Sequence, residues 1–306
     1  MVQSASPDKY PLRFRDVVNL AAPSSWAASV MPSILAIALG YLHNGRIDAL
    51  MAVCLFIAAV MMQSAVNAFN DYADFIKGTD TLENSPDATD AVIVYGMNPK
   101  TARNLGIAFL VLAFAAGMVG VIRTGLVPLV IGLIGAGVIW TYSMGRLPVS
   151  YLPIGELVSG FVMGGLIPLA GYSMQTKVLD WSVLLYALPL IIGIGMIMFS
   201  NNGCDIDRDR PAGRHTLAVI LGHAKTTVLY RFMLAVWLCS PFLVLALLGK
   251  PGSMLVYLLE IPVMLFGLMR QFTFRLGPEQ RGMVMGGIAN LNIMLAFAYI
   301  VALLIR

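Results

Sequence analysis

The chain has 306 residues, of which 58% are hydrophobic and only 12% are charged. A soluble domain usually carries about twice that share of charge, so a water-soluble enzyme is excluded. The formal charge of +4 suits a protein beside an anionic membrane leaflet, and no nucleic-acid partner is expected.

Apolar stretches long enough to cross a bilayer, about 20 residues each, recur from residue 17 onward and predict nine helices. The first, 20–42, contains Pro23 and Pro32, which a spanning helix tolerates when neighbours satisfy the freed backbone groups. The second, 48–72, runs into Asn67-Ala-Phe-Asn70-Asp71-Tyr-Ala-Asp74 and then Gly78-Thr-Asp80. The third and fourth, 101–122 and 124–143, lead to a loop holding Arg146. The fifth, 151–172, carries Glu156 just inside its start, where an unpaired carboxylate is expensive. Its Gly160, Gly164 and Gly165 allow close contact with a neighbouring helix. The sixth, 181–203, runs into Asn201-Asn202-Gly-Cys-Asp205-Ile-Asp207-Arg208-Asp209. The last three are placed at 226–249, 252–270 and 284–305.

Long continuous apolar runs exclude a spanning barrel, whose strands would be short and alternating. The expected fold is an all-α integral membrane protein, a bundle of nine transmembrane helices forming one domain over 1–306. No short apolar segment with a cleavage site precedes the first span, so no signal peptide is expected. Cys54, Cys204 and Cys239 have neither zinc-site nor redox-pair spacing and are read as core residues. His43, His215 and His223 form no metal-ligand pattern.

Basic residues set the orientation. With the N-terminus in the cytoplasm, only Arg46, Arg123, Lys177, Lys250 and Arg306 fall outside, and the other fifteen of the 20 Lys and Arg fall inside. Both acidic segments then open to the cytoplasm. The expected location is the cell membrane, multi-pass.

Asparagine and aspartate are rare at membrane depth and usually functional there. At about 100° per residue, Asn67, Asn70, Asp71 and Asp74 share one stripe of the second helix. If the sixth helix continues, Asn201, Asn202, Asp205 and Asp209 form a second stripe, with Asp207 pointing away. A lone Asn or Asp near a helix end is ordinarily a cap, but two matching stripes on the same side require a counter-charge. All-oxygen ligand sets favour hard cations, and magnesium combines one or two carboxylates with water and substrate phosphates. The indicated ligand is a magnesium-bound diphosphate. Arg146, Arg208 and Arg214, with Lys77 and Lys100, are positioned to hold its remaining charge. Gly78 and Gly213 read equally well as turn residues, and Tyr142 and Tyr151 as interfacial aromatics.

With these residues in view, the chain resembles the UbiA superfamily of intramembrane prenyltransferases. Asn70-Asp71-Tyr-Ala-Asp74-Phe-Ile-Lys77-Gly78-Thr-Asp80 is similar to the first aspartate-rich motif of that superfamily. Asp205-Ile-Asp207-Arg208-Asp209-Arg-Pro-Ala-Gly213-Arg214-His-Thr216 is similar to the second. Tyr142-Ser-Met-Gly-Arg146 resembles a Tyr-x-x-x-Lys element with arginine in place of lysine. Within the superfamily, the chain is most similar to the menaquinone-type branch, the 1,4-dihydroxy-2-naphthoate polyprenyltransferases. The spacing of Asp74, Gly78 and Asp80, the Asn201-Asn202-x-x-Asp205 start and Gly155-Glu156 carry that likeness. One run departs from the branch, which has arginine before Ala where this chain reads Thr89-Asp90-Ala91.

The resemblance implies a polyprenyl diphosphate donor, an aromatic acceptor, and release of diphosphate and carbon dioxide. It also implies metal ligation by Asn70, Asp71, Asp74, Asp80, Asp205 and Asp209, and catalytic roles for Asp74, Asp205, Asp209, Arg146 and Tyr142. The diphosphate-binding set would be Asn70, Lys77, Arg146, Asn201, Arg208 and Arg214. Other acceptors remain open: 4-hydroxybenzoate, homogentisate or a futalosine derivative. A cation-coupled transporter would also place Asn and Asp at depth, near broken helices at the midplane. Here both clusters lie at helix ends and run into arginine-bearing loops, which favours a phosphate site.

Overall fold

In the computed structural model, residues 12–82, 91–145 and 147–305 are described. Every regular element among them is helical. A short helix α1, Phe14–Ala21, precedes the bundle. The bundle comprises α2, Ala27–Asn44; α3, Ala49–Lys77; α4, Pro99–Thr124; α5, Val127–Ser143; α6, Gly155–Ser159; and α7, Ile167–Thr176. It continues with α8, Val183–Cys204; α9, Ile206–Asp209; α10, Leu217–Leu247; α11, Pro251–Thr273; and α12, Arg281–Leu304. Helices α6 and α7 are one crossing, joined by the π-helical turns Gly160–Leu166. Among the described residues, eight crossings are long and apolar enough to span a membrane, and α5 is a shorter apolar helix of 17 residues. This is a multi-pass membrane bundle of the predicted class.

The predicted first span begins too early. Proline disfavours helical geometry in the residue before it, and Ala22, before Pro23, adopts φ 47. That break ends α1, and α2 starts five residues later. The carbonyl freed at Ala21 is not left bare: Trp26 Nε1 donates to it at 3.1 Å and Asn67 Nδ2 at 2.8 Å. Asn67 therefore braces this break, although it lies on the polar stripe of α3. Helix α3 runs five residues past its predicted end and takes in Asn67, Asn70, Asp71 and Asp74 of the first acidic segment.

The crossing α6–α7 lies very close to α8. A Cβ on Gly164 would stand 2.6 Å from the backbone N and Cα of Ile191, and one on Gly160 would stand 2.5 Å from Ile191 O. The glycines thus serve the close contact expected of them. Helix α10 begins nine residues before its predicted start and breaks at Gly222, with φ 71 and ψ 167. Thr226 Oγ1 donates to Ala218 O at 3.2 Å across that break.

Lipid-facing positions are apolar and exposed, as at Ile122, Val263 and Phe266. Cys54 and Cys204 are buried as expected, whereas Cys239 is exposed. An apolar outer face accommodates a cysteine as readily as a core does, so hydropathy did not separate the two.

Candidate active site

Both acidic segments end in a left-handed glycine turn, and each turn folds the chain back over its own carboxylates. At the end of α3, Gly78 has φ 72, and the N–H groups of Thr79 and Asp80 donate to Asp74 O at 2.9 and 3.3 Å. Asp80 is thereby returned to the neighbourhood of Asp74. After α9, Gly213 has φ 73 and Arg214 N donates to Asp209 O at 3.0 Å. Only glycine takes that geometry without steric penalty.

Helix α8 stops at Cys204, where Asp205 has φ −102 and ψ 13, so the second stripe is not one continuous helix. The i to i−4 bonds still persist, with Asp205 N on Asn201 O at 3.1 Å and Asp209 N on Asp205 O at 2.8 Å. The stripe therefore survives the break. Asp207 points away as expected, with its side chain 62% exposed and 3.0 Å from His223 Nε2.

The acids meet arginines at one end of the bundle. The buried Arg214 bridges the segments, paired with Asp74 and 3.3 Å from Asp209 Oδ1. Arg208 reaches Asp205 Oδ2 at 3.1 Å and Asp80 Oδ1 at 3.8 Å. Asn70 donates to Asp74 Oδ2 at 3.3 Å and accepts from Ser143 Oγ at 3.2 Å. Asp71 accepts from the backbone N–H of Val92 at 3.1 Å. Burial pushes the Asp80 carboxyl up to about 6, with Asp74 adding to the rise and Arg208 opposing it. Asp209 is pushed to about 6 by burial against the pull of Arg214. Burial works against the Arg214 charge, yet Asp74 and Asp209 hold it above the ordinary arginine value.

Most of these groups form the polar end of a cavity of about 570 Å³, whose lining leaves out Asp205 and Asp209. Asn70, Asp71, Asp74, Asp80, Asn201, Arg208 and Arg214 line that end, and apolar side chains such as Met62, Phe114, Leu129 and Ile194 line the rest. Leu55 and Asp74 both line the cavity, so it runs about 28 Å along α3 at 1.5 Å per residue. The hydroxyl of the buried Tyr142 lies beside Gly155, 3.4 Å from where a Cβ would sit, and Tyr142 also lines the cavity.

Three expectations need correction or restriction. Lys77 turns from the cavity: its Nζ donates to Ser143 O at 2.7 Å and stands 4.8 Å from the Tyr151 ring centre. Arg146 and Asp90 lie outside the described residues. Glu156 is not unpaired, since Asn202 Nδ2 donates to its Oε1 at 2.8 Å. Two features were missed. Tyr151 carries the Arg214 guanidinium over its ring at 5.0 Å. Arg281 reaches Asp205 and Asn201 from the start of α12; a lone arginine there reads only as an orientation residue, and no sequence signal ties it to the acids.

Among the described residues, no three His, Cys, Asp or Glu side chains enclose a metal by themselves. The donor set nevertheless suits a hard cation. It is entirely oxygen, and the buried Asp71 Oδ1 and both carboxylate oxygens of Asp209 accept no hydrogen bond. Magnesium completes such a set with water and substrate phosphate oxygens.

Residues 29–303 match the profile of the UbiA prenyltransferase family. The chain is 33% identical to the 1,4-dihydroxy-2-naphthoate octaprenyltransferase of Bacillus subtilis over 244 residues, 76% of this chain and 78% of the relative. It is 31% identical to the UbiA prenyltransferase domain-containing protein 1 of Gallus gallus over 92% of this chain and 83% of the relative. Among solved structures, a UbiA homologue from Archaeoglobus fulgidus bound to DMAPP and Mg2+ superposes with TM-score 0.60 at 15% identity, covering 94% of this chain and 99% of the other. An apo UbiA homologue from Aeropyrum pernix superposes with TM-score 0.62 at 15% identity, covering 89% and 96%. The structural likenesses establish the shared fold.

Proposed function

Because the chain belongs to the UbiA prenyltransferase family, we propose that it transfers the polyprenyl group of a polyprenyl diphosphate to an aromatic acceptor, 1,4-dihydroxy-2-naphthoate. The observation that carries this reading is the junction of two unlike environments in one cavity. Carboxylates of the first acidic segment and Asn201, Arg208 and Arg214 of the second stand at one end of a cavity that runs about 28 Å along α3, and its far part is apolar. A prenyl diphosphate has the same two-part chemistry. The Bacillus relative supports this acceptor.

In this reading Asn70, Asp71, Asp74, Asp80, Asp205 and Asp209 hold magnesium. When bound, the metal neutralises the diphosphate and stabilises charge on the departing oxygen. Arg208 and Arg214 donate hydrogen bonds to diphosphate oxygens, which strengthen as the allylic C–O bond breaks and charge collects there. The diphosphate leaves with the bonding electron pair. The allylic carbon becomes cation-like, and an electron-rich ring carbon attacks it to form the new C–C bond. With the naphthoate, the ring carboxylate leaves as carbon dioxide, returning electrons to the ring. The apolar walls, including Met62, Phe114 and Ile194, keep water from the cation. Tyr142, on the cavity wall, is assigned to the reacting end. The prenyl tail lies along the channel and leaves sideways into the bilayer.

The deciding experiment incubates purified protein with a labelled prenyl diphosphate, magnesium and a panel of aromatic acids, and identifies products by mass. The naphthoate should be prenylated faster than 4-hydroxybenzoate. Preference for the benzoate would replace the acceptor, and no product with any of them would remove the enzymatic reading. The site is further proposed to face the cytoplasm, because basic residues gather at that end. Cysteines placed at the exposed Lys100 and Lys177 should then be labelled from opposite sides, with Lys177→Cys reached from outside intact cells. Labelling of Lys100→Cys from outside would invert the topology.

A further inference from the structure

Arg281 opens α12, 76 residues beyond Asp205, in a helix with no acidic motif of its own. Its Nε donates to Asp205 Oδ1 at 3.1 Å and its Nη2 donates to Asn201 Oδ1 at 3.0 Å. It also lines the polar end of the cavity. The other carboxylate oxygen of Asp205, Oδ2, accepts from Arg208 at 3.1 Å. Asp205 is thus held on both oxygens by guanidinium groups from two different elements. The pattern repeats across the site, where Arg214 pairs with Asp74 and stands beside Asp209.

A guanidinium on each oxygen puts positive charge where a cation would approach, so Asp205 binds metal more tightly once one arginine has moved away. Charge-assisted hydrogen bonds of this kind are the strong ones, and a bare divalent cation gives the displaced guanidinium no new partner. A diphosphate does, because its oxygens accept from arginine while its metal takes the carboxylate. We propose that Arg281 is a latch on Asp205: it occupies the metal-binding position in the resting site and moves onto the donor diphosphate when metal and diphosphate enter together. Arg281 is a positioning residue, and the inference rests on the prenyl diphosphate reading given above. Its consequence is an order of binding. Metal alone is held weakly, and metal with diphosphate is held strongly.

The test uses purified full-length protein in detergent, with Mn2+ as the probe read by electron paramagnetic resonance, with and without inorganic diphosphate. Removing the latch frees Asp205, so Arg281→Ala should bind Mn2+ alone roughly tenfold more tightly than the parent, the worth of one charge-assisted hydrogen bond. With diphosphate present the advantage should vanish or reverse. The KM for the prenyl diphosphate should rise, while Arg281→Lys, which keeps the charge, should recover part of that rise. Thermal melting checks that each variant folds. In an Asp205→Ala background, Arg281→Ala should no longer change Mn2+ affinity. Equal or weaker Mn2+ binding by Arg281→Ala, with Asp205→Ala still impairing binding, overturns the latch alone. If Asp205→Ala leaves Mn2+ and diphosphate binding intact, the metal-site reading fails and takes the latch with it.

Discussion

At the scale of single residues, the acids divide by their surroundings. Asp74 and Asp205 are buried and face arginines, whereas Asp207 is exposed beside His223. Asp74→Ala and Asp205→Ala should each reduce turnover at least a hundredfold, the usual effect of losing about 3–4 kcal/mol of transition-state stabilisation. Asp207→Ala should stay close to the parent. Steady-state kinetics of the three, beside thermal melting, checks this; full activity in either buried variant refutes the assigned roles. Asp80 and Asp209 add a pH dependence. Their folded values of about 6 stand above the ordinary 3.8, so burial favours their neutral forms. Their contribution to stability is fully present below about 3.8 and is lost as pH rises through about 6. Metal ligation needs the charged forms and has the opposite sign. Binding of Mn2+ with diphosphate should weaken as pH falls from 7.5 through 6, while the metal-free protein should gain thermal stability from this pair as pH falls on from about 6 toward 3.8. A flat binding curve between pH 7.5 and 5 contradicts the assignment of both acids as ligands. Asp74 and Asp205 were legible in the sequence because carboxylates at membrane depth demand an explanation. Arg281 was not, because an arginine at a helix start on the basic side already has one.

At the scale of elements, the crossings were legible because about 20 apolar residues leave the backbone no alternative to a helix in lipid. Their ends were less so, because local geometry and tertiary hydrogen bonds decide them. The break at Ala22 follows from Pro23, but its stability depends on Trp26 and Asn67 meeting the freed Ala21 carbonyl, a contact 46 residues away in sequence for Asn67. The π-helical turns Gly160–Leu166 left no periodic signal either; only their glycines did. Those glycines give a sharp prediction. Gly164→Ala drives a methyl group to 2.6 Å from the Ile191 backbone, which cannot rotate aside, so it should destabilise the protein by about 1–3 kcal/mol. Gly117→Ala, with nothing within 4 Å of the new Cβ, should be nearly neutral. Melting curves in one detergent compare them, and equal stability would mean that the π-helical turns Gly160–Leu166 and α8 are free to separate.

At the scale of the molecule, the proposed reading makes the cavity a gauge of tail length. Gly117 lines it on α4 and faces open space. Gly117→Phe should place a ring in the channel and shorten the longest prenyl chain transferred, leaving a short prenyl diphosphate as good a donor as before. Mass analysis of products from donors of graded length reads this directly; an unchanged length profile would show that the tail lies elsewhere. The reach of α12 back to Asp205 has a further consequence, for the newly made chain. Both acidic segments are synthesised before Arg281, so while the ribosome is still extending the protein, Asp205 sits at the membrane surface with one of its two arginine partners missing. A nascent chain halted before α12 holds the recognisable motifs of a transferase without its finished charge balance. In such a chain Asp205 keeps Arg208 and lacks Arg281, so the charge balance of the site closes only when the last described helix is in place.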